Sequence, residues 1–96
     1  MTKEDIINYL KVHKQELRDK YGIEAIGLFG SYARDEATPK SDIDIFVSMK
    51  PDLFALVSLK EEIENALQTK VDIIREYKYL KPFLRQMIQK DIIYVC

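Results

Sequence analysis

Between Ile26 and Val47 the chain reads I-G-L-F-G-S-Y-A-R-D-E-A-T-P-K-S-D-I-D-I-F-V, and no other stretch constrains the fold as tightly. Ile23 to Phe29 is a short apolar run bounded by Gly22 and Gly30, the pattern of a buried central strand. After a polar excursion, Asp42 to Val47 reads as a second strand. Its alternation puts Asp42, Asp44 and Phe46 on one face and Ile43, Ile45 and Val47 on the other. Two carboxylates on one face repel, by about 4 kcal/mol at ~4 Å and an effective dielectric of ~20. Folding alone gives no reason to place them so, between isoleucines. Either water or a hard divalent cation must relieve the repulsion, and Mg²⁺ accepts carboxylate oxygens together with substrate phosphates.

The remaining segments read as support. Thr2 ahead of Lys3, Glu4 and Asp5 predicts a helix start, with the hydroxyl on a free amide and the acids at the positive end of the dipole. Ile6, Leu10, His13 and Leu17 then recur at helical spacing through about Lys20, and Gly22 ends the helix. His13, on the buried side of that stripe, reads as a packing residue. Pro51-Asp52 breaks the second strand and opens a helix with a stripe of Leu56, Leu59, Ile63, Ala66 and Leu67. On that helix Lys60, Glu61, Glu62 and Glu64 are expected to face water. Val71 to Arg75 is a third, β-branched strand interrupted by Asp72. Pro82 suits the first turn of a last helix carrying Leu84, Met87, Ile88 and Asp91, and Ile92 to Val95 adds a short strand. Tyr77, Tyr79, Phe83 and Met87 read as core packing of that helix, with an exposed partner surface as the alternative.

This order predicts an α/β (α+β) fold: one small domain over residues 1–96, with a mixed sheet and helices packed on it. A chain of 96 residues buries only a modest core, so a separate acceptor-binding lobe must come from another chain or be absent. The net charge of −1 provides no overall basic field, and no direct nucleic-acid binding is expected. The single cysteine, Cys96, cannot form an internal disulfide, which fits a reducing cytoplasmic setting. No apolar run approaches the roughly 20 residues that span a membrane.

Asp72 faces opposite to Val71 and Ile73 on its strand. If that strand lies beside the second, three carboxylates converge on one sheet face, which suits a two-metal site. Asp72 is then placed to take a proton from an attacking hydroxyl; otherwise it is a strand-edge acid in water. Gly30-Ser31 enters a short helical turn at Tyr32-Ala33-Arg34. Amides at a helix start, a backbone free of Cβ at Gly30 and the Ser31 hydroxyl suit phosphate oxygens, and Arg34 can add a charge-assisted bond. A Gly-Ser pair also serves simply as a turn and N-cap. It is not a P-loop, since the lysine and second glycine of that pattern are missing.

In combination, G-S-Y-A-R at Gly30–Arg34, S-D-I-D at Ser41–Asp44 and V-D-I at Val71–Ile73 resemble the minimal nucleotidyltransferases of the DNA polymerase β-like superfamily. The resemblance covers essentially the whole chain. It implies that Gly30 and Ser31, with Arg34 beside them, hold the triphosphate of ATP, and that Asp42 and Asp44 bind two Mg²⁺ ions in a metal site that Asp72 completes. Asp72 would also activate the acceptor hydroxyl, with pyrophosphate leaving. Many similar proteins are antitoxins that attach AMP to a tyrosine of a HEPN-domain ribonuclease toxin, in a type VII toxin–antitoxin system. The resemblance leaves two alternatives: a module that neutralises a toxin by contact alone, and a nucleotidyltransferase acting on a small molecule. The family often carries glycine where this chain has Asp35. If the backbone there needs positive φ, an aspartate costs roughly 1 kcal/mol.

Overall fold

The computed structural model describes residues 1–96. Helix α1 spans Lys3–Tyr21 and opens with a reciprocal capping box. The Thr2 hydroxyl accepts from the Asp5 amide at 3.2 Å, and the Thr2 amide donates to the Asp5 carboxylate at 2.9 Å. Gly22, at φ 68°, closes the helix in the left-handed conformation. Strand β1 (Ile23–Phe29) runs straight into α2, a single turn over Gly30–Ala33. The turn Thr38-Pro39-Lys40-Ser41 is pinned in both directions between Thr38 and Ser41, and it aims the chain into β2 (Ile43–Met49). Asp52 caps α3 (Leu53–Leu67) by accepting from the Ala55 amide at 3.1 Å. Strand β3 (Val71–Arg75), α4 (Pro82–Asp91) and the two-residue β4 (Ile93–Tyr94) complete the order.

The sheet is mixed, in the order β3-β2-β1-β4. β1 is antiparallel to both β2 and β4, whereas β2 and β3 are parallel and joined by the α3 crossover. One face carries the main core: Ile43, Ile45 and Val47 of β2 pack with Ile26 and Leu28 of β1, Val71 of β3, and the stripes of α1 and α3. Phe46 points the other way, into a smaller cluster with Leu80 and Ile88 beneath α4. Helix α4 is secured at both ends. Near its start the Arg85 guanidinium bonds the Glu76 carboxylate at 2.7 Å and the Tyr77 carbonyl at 3.0 Å. After its end Ile92 lies against Gly27 of β1 so closely that a Cβ there would stand 2.9 Å from the Ile92 side chain.

The alternation read for β2 holds, although the strand starts at Ile43, so that Asp42 precedes the ladder. Four expectations are corrected. Glu62 does not simply face water; it accepts from Lys20 Nζ and the Tyr21 hydroxyl, both at 2.7 Å, and ties α3 to the end of α1. Glu64 accepts from the Val71 amide at 2.9 Å, because the first amide of β3 has no strand partner there and needs an acceptor. Tyr77, Tyr79, Phe83 and Met87 are not core. Tyr79 and Phe83 are 77% and 73% exposed, because α4 turns only its Leu84–Ile88 side to the sheet. At the stripe's far end Ala66 is exposed as well. His13 is half-buried, with its ring 4.5 Å from that of Tyr9. No helix is long and apolar enough to cross a membrane.

Candidate functional site

The parallel register of β2 and β3 pairs Asp44 with Asp72, flanked by Ile43↔Val71 and Ile45↔Ile73. The Ile43 amide donates a hydrogen bond to the Lys70 carbonyl at 2.9 Å, which locks that register at the strand starts. Adjacent strands lie about 4.8 Å apart and their paired side chains share a face, so the two carboxylates are neighbours. Asp42 and Asp72 are exposed, and Asp44 is half-buried. None of the three takes part in an ion pair. The Asp44 carboxyl is pushed up to about 6, first by burial, then by the charges of Asp72 and Asp42, with Arg34 opposing. No three acidic, histidine or cysteine side chains are grouped so as to hold a metal ion.

On the other side of Asp44 stands the turn between β1 and α2. Gly30 has φ 78°, and a Cβ built on it would overlap Asp44 Oδ2 and stand 3.0 Å from Asp44 Cγ. Only glycine fits there. Phe29 is the N-cap of α2 and offers no side-chain bond, so Ser31 lies inside the turn and is not its cap. The φ of 60° at Asp35 is the left-handed conformation expected of the position, and its carboxylate receives Lys3 Nζ at 2.9 Å.

A cleft of about 280 Å³ opens over this turn. Phe29, Gly30, Ser31, Arg34 and Asp44 form one wall. The opposite wall is one face of α4, made by Leu84, Met87, Ile88 and Asp91. Two other clefts, around Met1, Tyr32 and Ala37, contain none of the three carboxylates. Arg34 reaches across the cleft: its Nε donates to Glu36 and an Nη to Asp91, each at 2.6 Å. The α4 wall and Asp91 were not among the site residues read from the sequence. Their signal was present in the helical spacing of Leu84, Met87, Ile88 and Asp91, but periodicity marks a face without saying what it faces.

The Asp44 shift carries a sign. Its folded value lies above the ordinary 3.8, so the contribution to stability is fully present below about pH 4 and is lost as pH rises through about 6. Replacing Asp44 with Asn removes that loss. In chelator, the melting midpoint of Asp44→Asn minus that of the parent is therefore expected to widen between pH 5 and pH 7.5. A difference that stays flat would show that neither burial nor the neighbouring carboxylates penalise the Asp44 charge.

A small mixed sheet with a glycine turn beside paired acids on parallel strands is the arrangement of a nucleotidyl-transferring domain, and the chain belongs to that family: the nucleotidyltransferase domain model matches residues 10–95. Within it, the chain groups with the minimal nucleotidyltransferases. A solved minimal nucleotidyltransferase superposes with a TM-score of 0.78 at 30% identity, over 97% of this chain and 95% of the other. The protein adenylyltransferase MntA of Thermococcus cleftensis is 37% identical over 97 residues, 99% of this chain and 97% of its own length. A chain from a crystal structure of the MntA–HpeT toxin–antitoxin matches at 29% identity with a TM-score of 0.64, over 91% of this chain and 69% of that one.

Proposed function

We propose that this enzyme transfers AMP from ATP to a tyrosine hydroxyl of a HEPN-type ribonuclease toxin and so acts as its antitoxin. The observation that carries the reading is the Asp44–Asp72 register pair held against Gly30, with Asp42 one step upstream. Relatives named for protein adenylyl transfer and for a toxin–antitoxin assembly support the choice of acceptor. The exposed Met87, which lines the cleft, and the exposed Phe83 one turn earlier on α4 offer a surface against which a protein acceptor can dock.

The donor set fits Mg²⁺. Three carboxylates without an ion-pair partner, one of them driven toward protonation first by burial and then by the charges of the other two, form a site that a hard dication relieves. Because the protein ligands do not enclose an ion by themselves, triphosphate oxygens and water would complete the shell. Asp42, Asp44 and Asp72 are the residues that would hold it. Once bound, Mg²⁺ supplies charge for the triphosphate and lowers the pKa of the attacking hydroxyl. Gly30 and Ser31 would bind phosphate oxygens through amide and hydroxyl, and Arg34 through its guanidinium. Asp72, the most exposed of the register pair, would accept the proton of the acceptor hydroxyl. The acceptor oxygen forms a bond to the α-phosphorus as the bond to the pyrophosphate oxygen breaks, and pyrophosphate leaves.

The test is parallel incubation of the protein and its partner toxin with ATP labelled at the α- or the γ-phosphate. Label from the α position alone is expected on the toxin. Transfer of γ label would mean a kinase. Neutralisation of the toxin with neither label would leave binding by contact.

A further inference from the structure

Asp91 stands where helix electrostatics argue against it. It is the last residue of α4, at the negative end of the dipole, where acids destabilise and cations such as the adjacent Lys90 are favoured. Its side chain is only 13% exposed, yet it bonds nothing on its own helix; its partner is Arg34, 57 residues away, at 2.6 Å. The position is rigidly built. Immediately after Asp91 the chain packs Ile92 onto the bare backbone of Gly27, and the Ile92 amide closes the helix on the Ile88 carbonyl. β1, which carries Gly27, also leads into the Gly30 turn, so the anchor and the turn rest on one strand. Glu36 holds Nε of the same guanidinium from the exposed side. The second Nη makes no hydrogen bond within the chain, and the guanidinium lines the cleft that contains Gly30, Ser31 and Asp44.

We infer that Asp91 is a positioning residue of this site: through a charge-assisted bond it fixes Arg34 over the cleft, leaving the remaining N–H donors for the nucleotide's phosphates. The inference rests on the phosphate-binding role proposed for Arg34. An arginine free to rotate would lose conformational entropy on each binding event, and a tether made in advance removes that cost. It also means that the last helix, which carries the exposed Phe83 and Met87, contributes to nucleotide binding without touching a phosphate.

Equilibrium binding of Mg-ATP, measured by calorimetry well below each variant's melting midpoint, tests this as a cycle. Asp91→Asn is expected to weaken binding about tenfold, the scale of one charge-assisted bond, with Asp91→Glu recovering most of the loss. In an Arg34→Ala background the further change to Asn is expected to be less than about twofold, because Asp91 acts only through that side chain. Arg34→Lys, which keeps the charge but not the two-point tether, is expected to weaken binding as Asp91→Asn does, and it serves should Asp91→Asn fold poorly. Unchanged or tighter binding by Asp91→Asn would overturn the inference, the tighter case meaning that Asp91 holds Arg34 away from phosphate. So would an undiminished effect of Asp91→Asn without Arg34, or parent-like binding by Arg34→Lys. Parent-like binding by Arg34→Ala itself would remove the role proposed for Arg34 and this inference with it.

Discussion

Asp44→Asn is expected to lower AMP transfer by about 10³-fold or more while raising the melting midpoint of the metal-free protein at pH 7.5. The two effects share one cause. Asp44 is half-buried, faces Asp72 across the parallel ladder and follows Asp42 by two residues. Its charge is costly in the empty site, and that same charge is what a dication and a triphosphate would be held by. Losing one such carboxylate removes several kcal/mol of transition-state stabilisation, which is the 10³-fold expected. An amide of the same shape carries no charge to desolvate or repel, so the fold gains. Transfer of α-labelled AMP and thermal melts in chelator, on the same preparation, check both. Transfer at the parent's rate would show that Asp44 is not in the reacting site, and a lower midpoint would show that its charge is not strained.

Gly30→Ala is expected to be as damaging to transfer and, unlike Asp44→Asn, to destabilise the fold. Alanine at φ 78° costs about 1–2 kcal/mol, which is roughly a 5–10 °C fall in midpoint for a domain of this size. Its methyl would also occupy the space of Asp44 Oδ2, so the carboxylate must move off the Asp72 register. The two contributions separate in an Asp44→Ala background. There the methyl meets no carboxylate, and what is expected to remain is the backbone cost together with a tight approach to the residue 44 Cβ, 3.1 Å away. A Gly30→Ala protein with parental transfer would mean that Asp44 can be displaced at no catalytic loss, which the proposed site does not permit.

Much of this was readable from residue order because the relevant signals are local. Thr2 with Asp5, Gly22, and the alternation through Ile43, Ile45 and Val47 each report on a few neighbouring residues, and each fixes an element. Asp72 required one long-range fact, the adjacency of β2 and β3. The helical stretch between them made a parallel neighbour the natural outcome, since parallel strands need such a crossover. What was not legible is of another kind. The stripe Leu84, Met87, Ile88, Asp91 is the ordinary signature of a core-facing helix, yet only Leu84 and Ile88 pack into core, and all four wall the cleft. Tyr79 and Phe83 read as core by type, yet hydrophobicity does not say whether another element is present to cover them. Glu62 and Glu64 looked solvated because the groups they bond, Tyr21 and the Val71 amide, lie in other elements.

The α3 crossover has a consequence for how the site comes into being. Asp44 and Asp72 meet only after β3 has been carried back across α3 and zipped onto β2, a pairing of high sequence separation whose loop must close before any contact repays it. The β1–β2 partners lie 15 to 26 residues apart, from Phe29↔Asp44 to Ile23↔Met49, against 28 for Asp44 and Asp72. The two like charges are therefore brought together only by the β2–β3 pairing itself. The carboxylate pair is a property of the paired β2 and β3 strands and of neither strand alone.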